Sequence, residues 1–216
     1  MLTFPLSTDD FLRRLPISRM TFELQEAMEF SETDQGDLIT ADLGTRLWQG
    51  EITLGRITSD EAADAITLID VLRSAGRSFA AFDTNRPGPR NDPDGAQLGT
   101  ATVTVSALSA RELRLSGLPA GYVLRRGDYL GWDYGSNPVR RALHKVVDLA
   151  AMADPAGTVS FEVVPHLRAG ATSLGPVRLL RPWCTAIILP GSTNPGTVSS
   201  TITEGASFRW RQTLRY

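Results

Sequence analysis

The chain holds two histidines and one cysteine, which bounds its metal and nucleophilic chemistry. His144 and His166 both fall in strand-like segments, with no second ligand at a helical or turn spacing, so each reads as an ordinary strand residue rather than a ligand or base. Cys184 is alone; it can join neither an intrachain disulfide nor a cysteine cluster, and it reads as a small buried hydrophobe. No G-x-S-x-G elbow occurs among the serines, so a hydrolase would have to assemble its site without any local signal. Asp92-Pro93-Asp94-Gly95 resembles part of a calcium loop but lacks the third acid and the closing bidentate glutamate, which leaves a β-turn. Phosphate-binding glycine loops are absent, and Gly127-Asp128 is only long enough for a turn. The expectation is a protein with no catalytic residue, no metal and no cofactor.

Aromatic side chains offer a different chemistry. Trp48, Tyr129, Trp132, Tyr134, Trp183 and Trp210 could stack on sugar rings from a rigid β scaffold, as a carbohydrate-binding module does. Only Tyr129, Trp132 and Tyr134 are close in sequence, and isolated tryptophans more often fill cores.

Charge is unevenly distributed along the chain. The net charge is −2, but residues 1–83 hold 15 acids against 7 arginines, whereas the remainder holds 9 acids against 15 basic residues, of which Lys145 is the only lysine. From Glu23 to Asp37 the acids Glu23, Glu26, Glu29, Glu32, Asp34 and Asp37 follow one another with no cation between them. Such a run ordinarily faces water. The arginines are scattered rather than gathered into a stripe, so they do not mark a nucleic-acid-binding face.

These residues must be positioned by short elements. A short helix is expected after Ser7 or Thr8, with Asp9 and Asp10 in its first turn and Pro16 beyond its end. Residues 19–31 and 38–54 alternate, and Glu32 to Gly36 between them is turn-forming, so they read as a hairpin. On its first arm Phe22, Leu24, Met28 and Phe30 share one parity and Thr21, Glu23, Gln25, Glu29 and Ser31 the other, giving an apolar and an acidic face, with Glu26 out of place. The clearest helix starts at Thr58, whose capping box with Glu61 precedes an Ala62, Ile66, Ile69 and Leu72 stripe and a Gly76 cap. Residues 77–82 read as a strand, and 83–99 as a Pro/Gly/Asn/Asp-rich linker or a long excursion. Strands are then expected over 100–107, 111–116, 122–130, 139–149, 158–164 and 177–180, with strand-like alternation again at 185–189 and 206–213.

With 216 residues, 42% of them apolar, the chain can bury a real core. Its 19 glycines and 13 prolines suit many short strands joined by turns. No apolar window approaches a membrane span, and the acids near the N-terminus do not suit a secretory signal, so a soluble protein without an export signal is expected. The fold class is mainly β, a β-rich α+β arrangement.

A family resemblance sharpens this. Leu47-Trp48-Gln49-Gly50, the helix ending Leu72-Arg73-Ser74-Ala75-Gly76, and Arg77 to Phe82 with Asp83 resemble the core of distal tail proteins of long-tailed bacteriophages. Gly157 to Arg168, Pro176-Val177 and Gly205 to Trp210 are similar to tail proteins of phages and of gene transfer particles. The resemblance implies a tail-tube-like split β-barrel with one packed helix, assembled from residues 1–88 and 183–216; the six short strands between them suggest a small antiparallel β-barrel or sandwich, which would be inserted over residues 97–182. It further implies a structural virion protein, made in the host cytoplasm, whose ring of six copies joins the tail tube to the tail tip or baseplate hub. DNA would be passing cargo only, and no membrane would be involved. Tube, terminator and hub subunits are the alternatives within that system, and a carbohydrate-binding module the alternative outside it. In such a ring Glu23, Glu29, Asp37 and Asp42 would line a lumen that repels phosphates. Arg111, Arg114, Arg125, Arg126, Arg140 and Arg141, on the inserted segment, would dock other tail proteins.

Overall fold

Alternation after Pro16 builds the first sheet. The computed structural model describes residues 2–168, 170 and 175–215. Its strands are β1 (Ile17–Met20), β2 (Glu23–Leu24), β3 (Met28–Glu32), β4 (Leu38–Asp42), β5 (Trp48–Leu54), β6 (Ile57–Thr58) and, after helix α1 (Ser59–Leu72), β7 (Phe79–Ala81). The inserted stretch supplies β8 (Thr104–Leu108), β9 (Glu112–Ser116), β10 (Val123–Arg125), β11 (Tyr129–Tyr134), β12 (Arg140–Val146), β13 (Ala150–Met152), β14 (Val159–Val164) and β15 (Val177–Arg178). The chain closes with β16 (Cys184–Ile188), β17 (Thr197–Ser199), β18 (Ile202–Glu204) and β19 (Ser207–Gln212). Strand accounts for 41% and helix for 7%, so the fold is mainly β, with curled sheets and a nearly closed barrel.

The first sheet runs β1-β5-β19-β16-β7, with β2 also on β5. On β5 the even residues Trp48, Gly50, Ile52 and Leu54 are buried, and Phe208 and Trp210 of β19 face the same side. That face shares one apolar cluster with α1, whose Thr58 and Glu61 form the expected capping box: the Thr58 N–H donates to the Glu61 carboxylate at 2.9 Å. The buried stripe is Ala62, Ala65, Ile69 and Leu72, with Ala65 in the place expected of Ile66. The helix ends at Leu72, and Gly76, at φ 77°, lies in the turn that follows.

Gly50 is required by close approach. A Cβ there would collide with the Thr21 carbonyl oxygen and lie 3.1 Å from Cζ2 of Trp210. Gly50→Ala is therefore expected to force the Thr21 segment away from β5 and to cost about 1–3 kcal/mol. Urea unfolding checks this, and an unchanged midpoint would contradict it.

The second sheet, β15-β11-β12-β14-β9-β8, curls until its two ends meet. Thr104 bridges Pro176 there, the Val177 N–H donates to the Val103 carbonyl at 2.8 Å, and the Val105 N–H to that of Gly175 at 3.3 Å. Trp132, Leu113, Leu115, Val163 and Leu130 fill the interior, and the β10-β13 ribbon adds Leu124 and Ala151.

Two apolar clusters result. One gathers residues from 6–82 and 184–210, and the other residues from 103–163 with Leu179; Tyr129 and Leu143 of the inserted stretch belong to the first. A hydrogen bond from the Trp48 indole to the Leu143 carbonyl, 2.8 Å long, ties β5 to β12 across that seam.

Several local expectations are corrected. Residues 8–15 form successive turns instead of a helix, anchored by buried Phe11, Leu12 and Leu15. Residues 83–99 form the excursion rather than a plain linker, held to the second sheet by the Arg90 N–H donating to the Asp128 carboxylate at 3.0 Å. The buried Asp92 carboxylate accepts from the N–H groups of Gln97 (2.9 Å) and Leu98 (2.8 Å) and from the Tyr122 hydroxyl (3.2 Å). Burial works against its ionisation, but these donors outweigh it and hold the carboxyl below its ordinary range. The strand expected over 122–130 is broken by the turn at Gly127-Asp128 into β10 and β11. β6, β13 and the β17-β18 hairpin are additional.

Candidate functional site

Among the described residues, the outer half of the first hairpin is a large feature not packed against the rest of the chain. Near its base, Phe22 sits among Trp210 (4.9 Å between ring centres), Trp48 (5.4 Å) and Tyr129 (5.6 Å), and Leu24 also packs on the first cluster. Regular pairing lapses over 25–27, and β3 and β4 then pair only with each other. All five residues of β3 and all five of β4 are exposed. The apolar face expected from Phe22 to Phe30 is thus divided: its first half is core, and its second projects outward.

This arm exposes Met28 (52%), Phe30 (69%), Leu38 (62%), Ile39 (60%) and, at its root, Leu43 (68%). Burying each such side chain is worth roughly 1.5–3 kcal/mol. A lone two-stranded ribbon is marginal in water, and both of its outer edges present unpaired backbone groups. A five-residue loop, Thr33 to Asp37, closes it, with the Thr33 N–H donating to the Asp37 carbonyl (2.9 Å) and Gly36 at φ 83°.

Register decides where the expected lumen acids lie. Met28 pairs with Asp42, Phe30 with Thr40 and Glu32 with Leu38 on one face; Glu29 pairs with Ala41 and Ser31 with Ile39 on the other. Glu29 and Asp42 therefore point to opposite sides, and Asp37 is at the end of the tip loop. Glu23 stands on β2, accepting from the Gln49 side chain at 3.0 Å, on the sheet surface that also carries Glu51 and Arg209. A single acidic face made by all four is not formed, because opposite partners in an antiparallel ribbon share a face and neighbours along a strand do not.

Nor do the six candidate docking arginines form one surface. Arg125 and Arg126 lie before β11, and the Arg126 Nε donates to the Val147 carbonyl at 2.7 Å. Arg140 and Arg141 begin β12 at the far end of the β11-β12 hairpin, where Arg140 pairs with Tyr134. Arg141 is committed internally: it donates to the Val139 carbonyl (2.8 Å), pairs with Asp133 (3.3 Å) and lies over the Trp183 ring (5.0 Å). Arg111 and Arg114 are exposed, Arg114 on β9.

A concentration of cations that no local motif signals lies at the root of the arm. Asp42, Gly44, Thr45 and Arg46 meet Tyr134 and Arg140 from the barrel, Pro165 to Arg168 after β14, and Leu214 and Arg215 after β19, around a cleft of about 690 Å³. Among the described lining residues, four arginines thus face one carboxylate. Two are partly pinned: Arg46 Nε donates to the Gln25 carbonyl at 3.1 Å, and Arg168 donates to the Arg46 carbonyl at 3.3 Å. The ion pairs among the described residues use other arginines.

Groups with catalytic potential are placed for packing. His144 is buried, stacked on Trp132 at 5.0 Å, with Nδ1 2.7 Å from the Pro165 carbonyl oxygen. Burial outweighs that hydrogen bond and lowers its pKa to about 4, so Nδ1–H donates and the ring is neutral. Burial also pushes the Cys184 thiol up, away from the nucleophilic thiolate. Lys145 lies 4.9 Å from the Trp48 ring and 4.8 Å from that of Tyr129, and burial lowers its pKa. No cluster of three or more His, Cys, Asp or Glu suited to a metal occurs among the described residues. Trp48, Tyr129, Trp132, Tyr134 and Trp210 are buried, and the partly buried Trp183 is covered by Arg141 and Arg178, so these rings make no sugar platform.

No protein-family model and no curated protein matches this chain.

Proposed function

We propose that this chain is a structural subunit of a ring in a bacteriophage-like tail, the adaptor between tail tube and tail tip or hub, through whose lumen DNA passes. The observation that carries the reading is the exposed arm. An ordered ribbon with bare edges and a row of exposed apolar side chains is stable and free of aggregation only when a neighbour covers it. A closed ring of identical copies supplies that neighbour every time. The β1/β2 side of the first sheet is a second unpaired edge, whereas β7 at the other side is met by Leu6, whose N–H donates to the Ser78 carbonyl at 2.9 Å.

Of the acids expected along the lumen, the reading keeps Glu23 and Glu29. Asp42 belongs to the cleft at the root and Asp37 to the tip. Carboxylates along the channel would repel phosphates and let DNA slide, where arginines would hold it through counterion release. A Glu23→Arg/Glu29→Arg chain built into tailed particles is expected to assemble normally and to deliver DNA more slowly. Delivery at the wild-type rate from intact particles would sink the lumen role, and a tagged subunit located elsewhere than between tube and tip would sink the adaptor role.

A further inference from the structure

We propose that the acidic tip of the arm of one copy docks into the arginine cleft at the root of the arm of a second copy. The tip carries Glu32, Asp34 and Asp37 with no basic residue between Arg19 and Arg46, while the cleft, among the described residues, presents Arg46, Arg140, Arg168 and Arg215 against Asp42. Arginine, with no lysine among the lining residues, suits this pairing, because its planar fork meets a carboxylate through two parallel hydrogen bonds. Leu38 beside the tip would add apolar contact with Leu167 and Leu214 of the cleft wall.

The occupant has to be another molecule. Asp42 lines the cleft, and the last ribbon pair, Glu32 with Leu38, lies four residues further along, about 14 Å at 3.4 Å per residue, with the tip loop beyond it, so the arm leads away from its own cleft. Tip and cleft are different surfaces of one chain, so the contact is head-to-tail rather than two-fold. A head-to-tail contact propagates until the rotation closes it. This deepens the ring reading and rests on it for closure, while naming the surfaces that make the junction.

Charge exchange tests it on the full-length protein. An arm variant, Glu32→Arg/Asp34→Arg/Asp37→Arg, and a cleft variant, Arg140→Glu/Arg168→Glu, are purified separately and followed by sedimentation and native mass spectrometry. Each alone should self-associate at least about tenfold more weakly than the wild type. An equimolar mixture should regain assembly, because both junctions of an alternating ring again pair opposite charges. That rescue also shows that neither variant is misfolded. Rings formed equally well by the separate variants would overturn the docking and leave the ring reading standing. Failure of the mixture to recover would overturn it too, as would a cleft variant that loses only DNA retention, which would assign the cleft to phosphates. A wild-type chain that stays monomeric throughout would overturn both proposals.

Discussion

Replacing Trp48 by alanine is expected to remove about 3–5 kcal/mol of folding stability, the largest loss of any single substitution considered for this chain. Trp48 is 1% exposed and lies against Phe22 and Tyr129, with ring centres 5.4 and 5.6 Å away. Truncation would therefore open a cavity in the first cluster. It would also leave the Leu143 carbonyl without the indole N–H that now donates to it, and a buried acceptor left unpaired adds roughly 1–3 kcal/mol. Because Leu143 and Tyr129 come from the inserted stretch, the damage would spread across the seam between the two clusters. Trp48→Phe restores much of the volume but not the donor, so its stability should fall between wild type and Trp48→Ala. Chemical denaturation followed by far-UV circular dichroism measures all three. A Trp48→Ala midpoint indistinguishable from wild type would contradict the packing described.

The second large effect is a loss of stability in mild acid, centred on His144. Its folded pKa is about 4, against an ordinary value of 6.5, because burial disfavours the imidazolium. Between those values the unfolded chain binds a proton at this site and the folded chain does not. Stability therefore rises with pH across the window, is fully present above about 6.5 and is lost progressively down to about 4. The difference amounts to about 3 kcal/mol at roughly 1.4 kcal/mol per pH unit. His144→Gln keeps an amide donor within the same site and removes this titration. Its unfolding free energy should be flatter between pH 6.5 and 4 than that of the wild type, whatever its absolute value. The Asp92 carboxyl acts in a lower window, since its depressed pKa makes its contribution vanish only as pH falls below its ordinary 3.8. A wild-type profile that is level from pH 7 to 4 would show that His144 is not held neutral by burial.

What could be read directly from the sequence follows from how local each signal is. The Thr58 and Glu61 box lies within four residues, so helix α1 was legible at its start; packing moved the buried stripe from Ile66 to Ala65, and the helix is capped at Arg73 rather than at the expected Gly76. The hairpin was legible because alternation around a turn-forming segment survives any tertiary context. Residues 8–15 carry helix-like acids and an Asp9–Arg13 pair, yet so short a helix is marginal, and burying Phe11, Leu12 and Leu15 decided for turns. Asp92 looked like part of a linker because its partner Tyr122 is thirty residues away. The faces of Glu29 and Asp42 depended on the register set by a five-residue loop, which residue types alone do not fix. The cleft could not be seen at all, since Arg46, Arg140, Arg168 and Arg215 come from four separate segments.

The most direct measurement is a high-resolution electron-microscope reconstruction of this chain in its assembled form. A closed ring around an open channel, with the 28–42 ribbon of every copy covered by a neighbour and Phe30 and Ile39 out of water, is the result expected. A particle in which that ribbon stays bare, or in which single copies sit apart from one another, would contradict the account.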